Sequence, residues 1–151
     1  TSNVALNSFY WRDTLPAQVT VNRLVTGTYN QAQNYKIVYK VNGAGAYRTL
    51  ADNLSTAKNY VLDMRPAVLG LAANERVTEV MFVFGTVPAG FAQAETPALY
   101  GTVCGGLSNG TSLVNSADAG GLYNGQWIQA VSRWLTTVYA KTTVTLPKTG
   151  Y

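Results

Sequence analysis

The side chains able to do chemistry are few and widely spaced. Seven carboxylates, Asp13, Asp52, Asp63, Glu75, Glu79, Glu95 and Asp118, are spread over 151 residues. No two stand at a spacing that forces the pair needed for general acid and base work. There is no histidine. That removes the commonest general base and metal ligand, and with it any Ser-His-Asp, Cys-His or imidazole-bound zinc site. The single cysteine, Cys104, sits between Val103 and Gly105 with no cation close in sequence to lower its pKa. It reads as a small buried residue rather than a nucleophile. No Asp-rich loop offers the oxygens that calcium requires. The chain is therefore expected to be no enzyme and to hold no metal or cofactor.

Aromatic faces are the chemistry that remains. The chain carries 3 Trp and 10 Tyr. Trp11, Trp127, Trp134 and Tyr123 form a candidate platform for stacking on a sugar ring or docking on a host protein. Against this, most aromatics in such a chain belong to its core. The 11 basic residues give a net charge of +4 but occur singly. The clustered basic face of a nucleic-acid binder is missing, so no nucleic-acid partner is expected.

The elements that must position these residues read as strands. An apolar share of 47% with only 12% charged residues excludes disorder and a coiled coil. No apolar run reaches the length of a membrane span. Residues 35–41 alternate, with Tyr35, Ile37, Tyr39 and Val41 on one face and Lys36, Val38 and Lys40 on the other. Asn42-Gly43 follows as a turn, then a second strand, which makes a hairpin. Residues 4–11, 19–26, 59–63, 77–84, 98–103, 111–115, 126–131 and 134–145 read as further strands. Pro66 to Asn74 reads as one helical turn or a packed loop, with no room for a long helix. Asp13 before Thr14-Leu15-Pro16 and Asp118 before Ala119-Gly120-Gly121 read as turn formers, and Glu79 as a solvent-facing strand residue. Nine or ten short strands with Gly-rich turns predict one all-β domain over residues 1–145. An antiparallel Greek-key, immunoglobulin-like sandwich is expected, with a jelly roll as the alternative.

Residues 146–151 form a separate segment. Leu146, Pro147, Lys148, Thr149 and Gly150 match the Leu-Pro-any-Thr-Gly sorting motif of Gram-positive surface proteins. The bland alternative is a strand end punctuated by Pro and Gly. Phe9 to Ala17, with its Asp13-Thr14-Leu15-Pro16, resembles the opening of a repeated module of bacterial surface proteins, the DUF11 domain. The 115–118 stretch resembles the Asn-any-Ala segment near the end of such modules. Residues 47–55 and 77–85 are similar to the last domain of large Firmicutes surface proteins. The resemblance implies an immunoglobulin-like sandwich acting as a stalk or adhesin module. It also implies a sortase partner whose cysteine attacks the Thr149 carbonyl, releases Gly150 and passes the acyl group to a cell-wall peptide. Membrane contact is expected only through a segment outside this sequence.

The same family context brings in a spontaneous Lys–Asn isopeptide bond, which needs a Lys, an Asn and a carboxylate buried together. Lys36 or Lys40 with Asn115, and Glu79 or Asp118 as the acid, are the candidates. Lysines solvated on a polar strand face are the ordinary alternative. The expectation is thus a cell-wall-anchored extracellular spacer. The alternatives are an adhesin for host protein or glycan, or a filament subunit exchanging residues 1–7 or 141–145.

Overall fold

The computed structural model describes residues 3–103, 112–137 and 143–145. They form an all-β antiparallel sandwich, as the strand signals predict. In chain order the elements are β1 (Leu6–Thr14), β2 (Val19–Val25), β3 (Thr28–Tyr29), β4 (Asn34–Val41), β5 (Ala44–Ser55), β6 (Val61–Asp63) and the helical turn α1 (Pro66–Leu69). There follow β7 (Val77–Val87), β8 (Gln93–Glu95), β9 (Ala98–Val103), β10 (Ser112–Tyr123), β11 (Gln126–Thr137) and β12 (Thr143–Thr145). One sheet runs β11-β10-β1-β7-β4-β5, a second runs β12-β9-β2-β6, and β3 pairs with β8.

Two hairpins of the large sheet follow from turn chemistry. Asn42 and Gly43 join β4 to β5 with φ of 53° and 63°; Asn124 and Gly125 join β10 to β11 with φ of 50° and 76°. Both are Asn-Gly pairs with two positive φ values, the combination a tight primed turn requires. The β10–β11 ladder then runs without a break from Tyr123↔Gln126 to Ser112↔Thr137.

The alternation read in β4 holds except at Val38, which is buried on the other face. Tyr35, Ile37, Tyr39 and Val41 are buried and Lys36 is exposed. These side chains meet an aromatic slab. Trp11 of β1 stacks on Phe82 of β7 with centroids 4.0 Å apart, and Tyr35 stacks on Phe82 and Phe84. Tyr29 lies flat on Phe91 at 5.2 Å and accepts a hydrogen bond from Trp11 Nε1 at 2.8 Å. Val19, Val21, Leu24, Leu99 and Val103 close the core from the second sheet. Each such side chain contributes about 1.5–3 kcal/mol by leaving water.

Three expectations change. β1 continues through Asp13, which is 3% exposed in the core rather than in a turn. Asp118-Ala119-Gly120-Gly121 lies in the middle of β10. The glycines serve close approach there: a Cβ on Gly120 would stand 3.1 Å from the Tyr10 hydroxyl, and one on Gly121 would stand 3.0 Å from Leu6 Cβ. Finally, the strand read over 134–145 divides, residues 134–137 belonging to β11 and 143–145 to β12.

Candidate functional site

The outer face of the six-stranded sheet carries a continuous polar ladder. Its centre is Asp118 on β10, directly opposite Arg12 on β1. The guanidinium grips the carboxylate as a fork: Arg12 Nε donates to Oδ1 at 2.8 Å and Nη2 donates to Oδ2 at 2.7 Å. Tyr10 donates its hydroxyl to Oδ2 at 2.9 Å, and Gln129 of β11 donates its amide to the same oxygen at 2.9 Å. Burial opposes ionisation of Asp118, but hydrogen bonds from Arg12, Gln129 and Tyr10 outweigh it and hold the carboxyl below the usual range. The bond to Asp118 raises the pKa of Arg12 further, and burial followed by the Asp118 bond raises that of Tyr10.

The ladder continues toward β5. Arg12 Nη1 approaches the Tyr47 hydroxyl at 3.5 Å, and Tyr47 donates to Glu79 Oε2 at 3.1 Å. Lys40 Nζ stands 3.7 Å from Glu79 Oε2 and 4.4 Å from the centre of the Tyr47 ring. Trp127 of β11 stands edge-on to Tyr10 at 6.4 Å and is 63% exposed. Tyr10, Arg12, Tyr47, Met81, Trp127 and Gln129 together line an open depression of about 500 Å³. A planar aromatic beside a rigid set of donors and acceptors suits stacking and hydrogen bonding to a polyhydroxylated or peptide ligand. Both carboxylates here are engaged, Asp118 with Arg12, Tyr10 and Gln129, and Glu79 with Tyr47 and Lys40.

The structure redistributes the sequence-derived aromatic platform. Trp11 is 2% exposed and belongs to the core, so it leaves the platform. Trp127 is exposed on the outer face. Tyr123 is 41% exposed, but its register partner is Gln126 whereas that of Trp127 is Leu122. Alternation therefore puts Tyr123 and Trp127 on opposite sides of the hairpin. Trp134 has its backbone in β11; its side chain lies outside the described residues, as do Cys104 and the 146–150 peptide. Arg12, Tyr47 and Gln129 were not foreseen, whereas Tyr10 was among the aromatics available for stacking. The signal available for them was the outward parity of Tyr10 and Arg12, which is readable only once their strand partners are known.

The isopeptide arrangement is not assembled from the residues chosen. Lys36 and Lys40 lie on the outer side of β4, whereas Asn115 is 1% exposed on the inner side of β10. β1 and β7 stand between those strands, a separation of about 14 Å at ~4.8 Å per strand. Glu79 is engaged with Lys40 and Asp118 with Arg12. The carboxyl beside Asn115 is instead Asp13. Burial pushes the Asp13 carboxyl up to about 7, and Asn115 offsets part of that rise. No well-formed hydrogen bond results: Asp13 Oδ1 and both terminal atoms of the Asn115 amide have no such partner among the described residues.

Among the described residues, no group of three or more His, Cys, Asp or Glu could hold a metal ion. No helix among them is long and apolar enough to cross a membrane. No protein-family model, curated protein or solved structure matches the chain.

Proposed function

We propose that this chain is a non-enzymatic module of a bacterial cell-surface protein, joined to peptidoglycan by a sortase acting on the 146–150 peptide. The observation that carries the reading is the sequence Leu146-Pro147-Lys148-Thr149-Gly150 following an all-β body whose last described strand is β12. Pro147 fixes φ and presents the peptide in one shape. Gly150 leaves the Thr149 carbonyl unobstructed. The enzyme's thiolate attacks that carbonyl, the Thr149–Gly150 bond breaks, and the segment beginning at Gly150 leaves as the amine. A wall-peptide amine then takes the Thr149 acyl group and frees the thiol. In this reading the nucleophile belongs to the partner, and the sparsely charged, aromatic-cored sandwich is a stiff spacer.

The test is transpeptidation in solution. The chain is mixed with a sortase that cleaves Leu-Pro-any-Thr-Gly peptides and with an oligoglycine probe. Intact mass is expected to show loss of Gly150-Tyr151 and gain of the probe, abolished in Leu146→Ala. An unchanged mass, while a control peptide is converted under the same conditions, overturns the reading.

A second reading is a ligand-binding module, favoured by the exposure of Trp127 beside Tyr10 and the Arg12–Asp118 fork. Glycan-array binding that disappears in Trp127→Ala supports it. An array with no binding above background removes the glycan form of this reading.

A further inference from the structure

The two edges of the six-stranded sheet differ. At one edge, β5 carries Arg48 and Asp52, places Asn53 at a φ of 53°, and breaks register three times against β4. Charges and irregularities of this kind keep an edge from templating another strand. At the other edge, β11 carries a single charge, Arg133, and no positive φ or register break. It is 12 residues long and paired to β10 without a register break. Residues 126–132 contain no charge, no proline and no glycine. Trp127, Ile128 and Val131 are 63%, 46% and 63% exposed. Among the described residues, no strand lies beyond it.

We propose that β11 pairs antiparallel with β11 of a second copy, which makes one continuous sheet across a two-fold axis at Gln129. The backbone sets the phase. The two-residue turn at Asn124-Gly125 makes Tyr123 and Gln126 the hydrogen-bonded pair that closes the hairpin. By alternation, Gln126 and Ile128 direct their backbone N–H and C=O groups at β10. Trp127, Gln129 and Val131 direct theirs at the open edge. A two-fold axis at Gln129 pairs outward-directed residues only with outward-directed residues: Gln129 with itself, and Trp127 with Val131 of the second copy.

The side chains complement one another in that register. Trp127 against Val131 is an aromatic–β-branched pair, formed twice, and such cross-strand pairs stabilise a sheet. Gln129 meets Gln129. On the inner side, Ile128 borders an apolar groove with Leu6, Phe9, Val87 and Phe91, and the two grooves become continuous across the axis. Arg133 falls opposite Gly125, so no like charges are opposed even though each copy carries +4. This inference does not depend on the wall-anchoring reading.

Sedimentation velocity across the micromolar to near-millimolar range tests it, and dimers are expected to grow with concentration. Gln129→Lys places like charges face to face at the axis and is expected to weaken association roughly tenfold or more. Because Gln129 also donates to Asp118, the variant's thermal midpoint at low concentration reports the loss of that bond in the monomer separately from association. In a Cys104→Ser background, Gln129→Cys is expected to form an intermolecular disulfide under mild oxidation. Hydrogen-bonded partners stand about 5.5 Å apart at Cα, within disulfide reach. Gln126→Cys, several residues from its own copy, should not bridge. A monomer at every concentration overturns the proposal. So does a dimer that persists in Gln129→Lys and bridges no better through residue 129 than through residue 126.

Discussion

Asp13 of β1 and Asn115 of β10 share the inner side of the sheet, 3% and 1% exposed, with Asp13 Oδ1 and both Asn115 amide termini lacking a hydrogen bond among the described residues. A carboxylate buried there with one oxygen lacking a partner is costly when ionised. Its pKa is therefore driven up by burial to about 7, against an ordinary value of 3.8.

The sign of the pH effect follows. The folded chain keeps a proton on Asp13 across a range in which the unfolded chain has released it. Stability therefore falls as pH rises from about 4 to about 7 and levels off above that, by on the order of 4 kcal/mol at ~1.4 kcal/mol per pKa unit. The chain has no histidine to titrate in the same window. Urea midpoints at pH 5 and pH 8 are expected to differ in the parent and to converge in Asp13→Asn. Equal midpoints in the parent would remove the assignment.

Arg12→Met tests the outer ladder. It leaves Asp118 with Tyr10 and Gln129 as donors but without its cation. Arg12 is 30% and Asp118 9% exposed at the side chain, so the loss at pH 7 is expected to be about 1–2 kcal/mol, tempered by solvent. The folded-state pKa of Asp118 is depressed. Its contribution is therefore present above pH ~4 and disappears as pH falls through the folded value. Guanidinium melts should show a penalty at pH 7 that shrinks at pH 2; a pH-independent penalty would mean that Arg12 acts by packing alone.

Tyr29→Phe removes the acceptor for Trp11 Nε1 and changes little else in the stack. An orphaned indole N–H is expected to cost about 1–3 kcal/mol. Trp11→Ala should cost about 3–5 kcal/mol, since it also leaves a cavity beside Phe82. Thermal melts give the ranking, and near-UV circular dichroism should keep its sign in Tyr29→Phe. A neutral Tyr29→Phe would show that the indole finds another acceptor.

Gly120→Ala separates the site from the fold. The new methyl would meet the Ile128 carbonyl oxygen at 2.9 Å and the Tyr10 hydroxyl at 3.1 Å. Tyr10 is expected to leave Asp118, at a cost of about 1–3 kcal/mol, and Trp127 emission should shift as its aromatic neighbour moves. An unaltered Trp127 spectrum would show that Tyr10 adjusts in place.

What was legible in the sequence was whatever is written locally. The period of two in 35–41 and the Asn42-Gly43 and Asn124-Gly125 turns depend on neighbours a few residues away and appear in the structure, where Pro66 opens a helical turn rather than a packed loop; Asn109-Gly110 lies outside the described residues. The outer ladder was not legible because Arg12 and Asp118 are 106 residues apart in sequence. Composition led in the wrong direction at Asp118-Ala119-Gly120-Gly121: glycines that admit Tyr10 and Leu6 look the same in sequence as glycines that turn the chain. Asp13 was misplaced for a related reason, since Asp before Thr-Leu-Pro suits a turn and only the pairing with β7 and β10 shows that the strand continues.

The irregularity in β1 has a consequence for how sidedness is encoded. Register shifts between Leu6 and Tyr10, and Ser8 adopts a φ of 50°. Leu6 faces inward, yet the next inward residues are Phe9, Trp11 and Asp13, so one supernumerary residue flips odd and even. Gly85, opposite Phe9 at a φ of 74°, sits where β7 changes phase in the same way, between Phe84 and Val87. The two strands thus act like a ruler with one extra tick. Without it, Leu6 would fix the opposite numbering, with Arg12 turned into the aromatic slab and Trp11 into water. A count of one, rather than any side chain, decides which surface of the sheet is charged and which is dry.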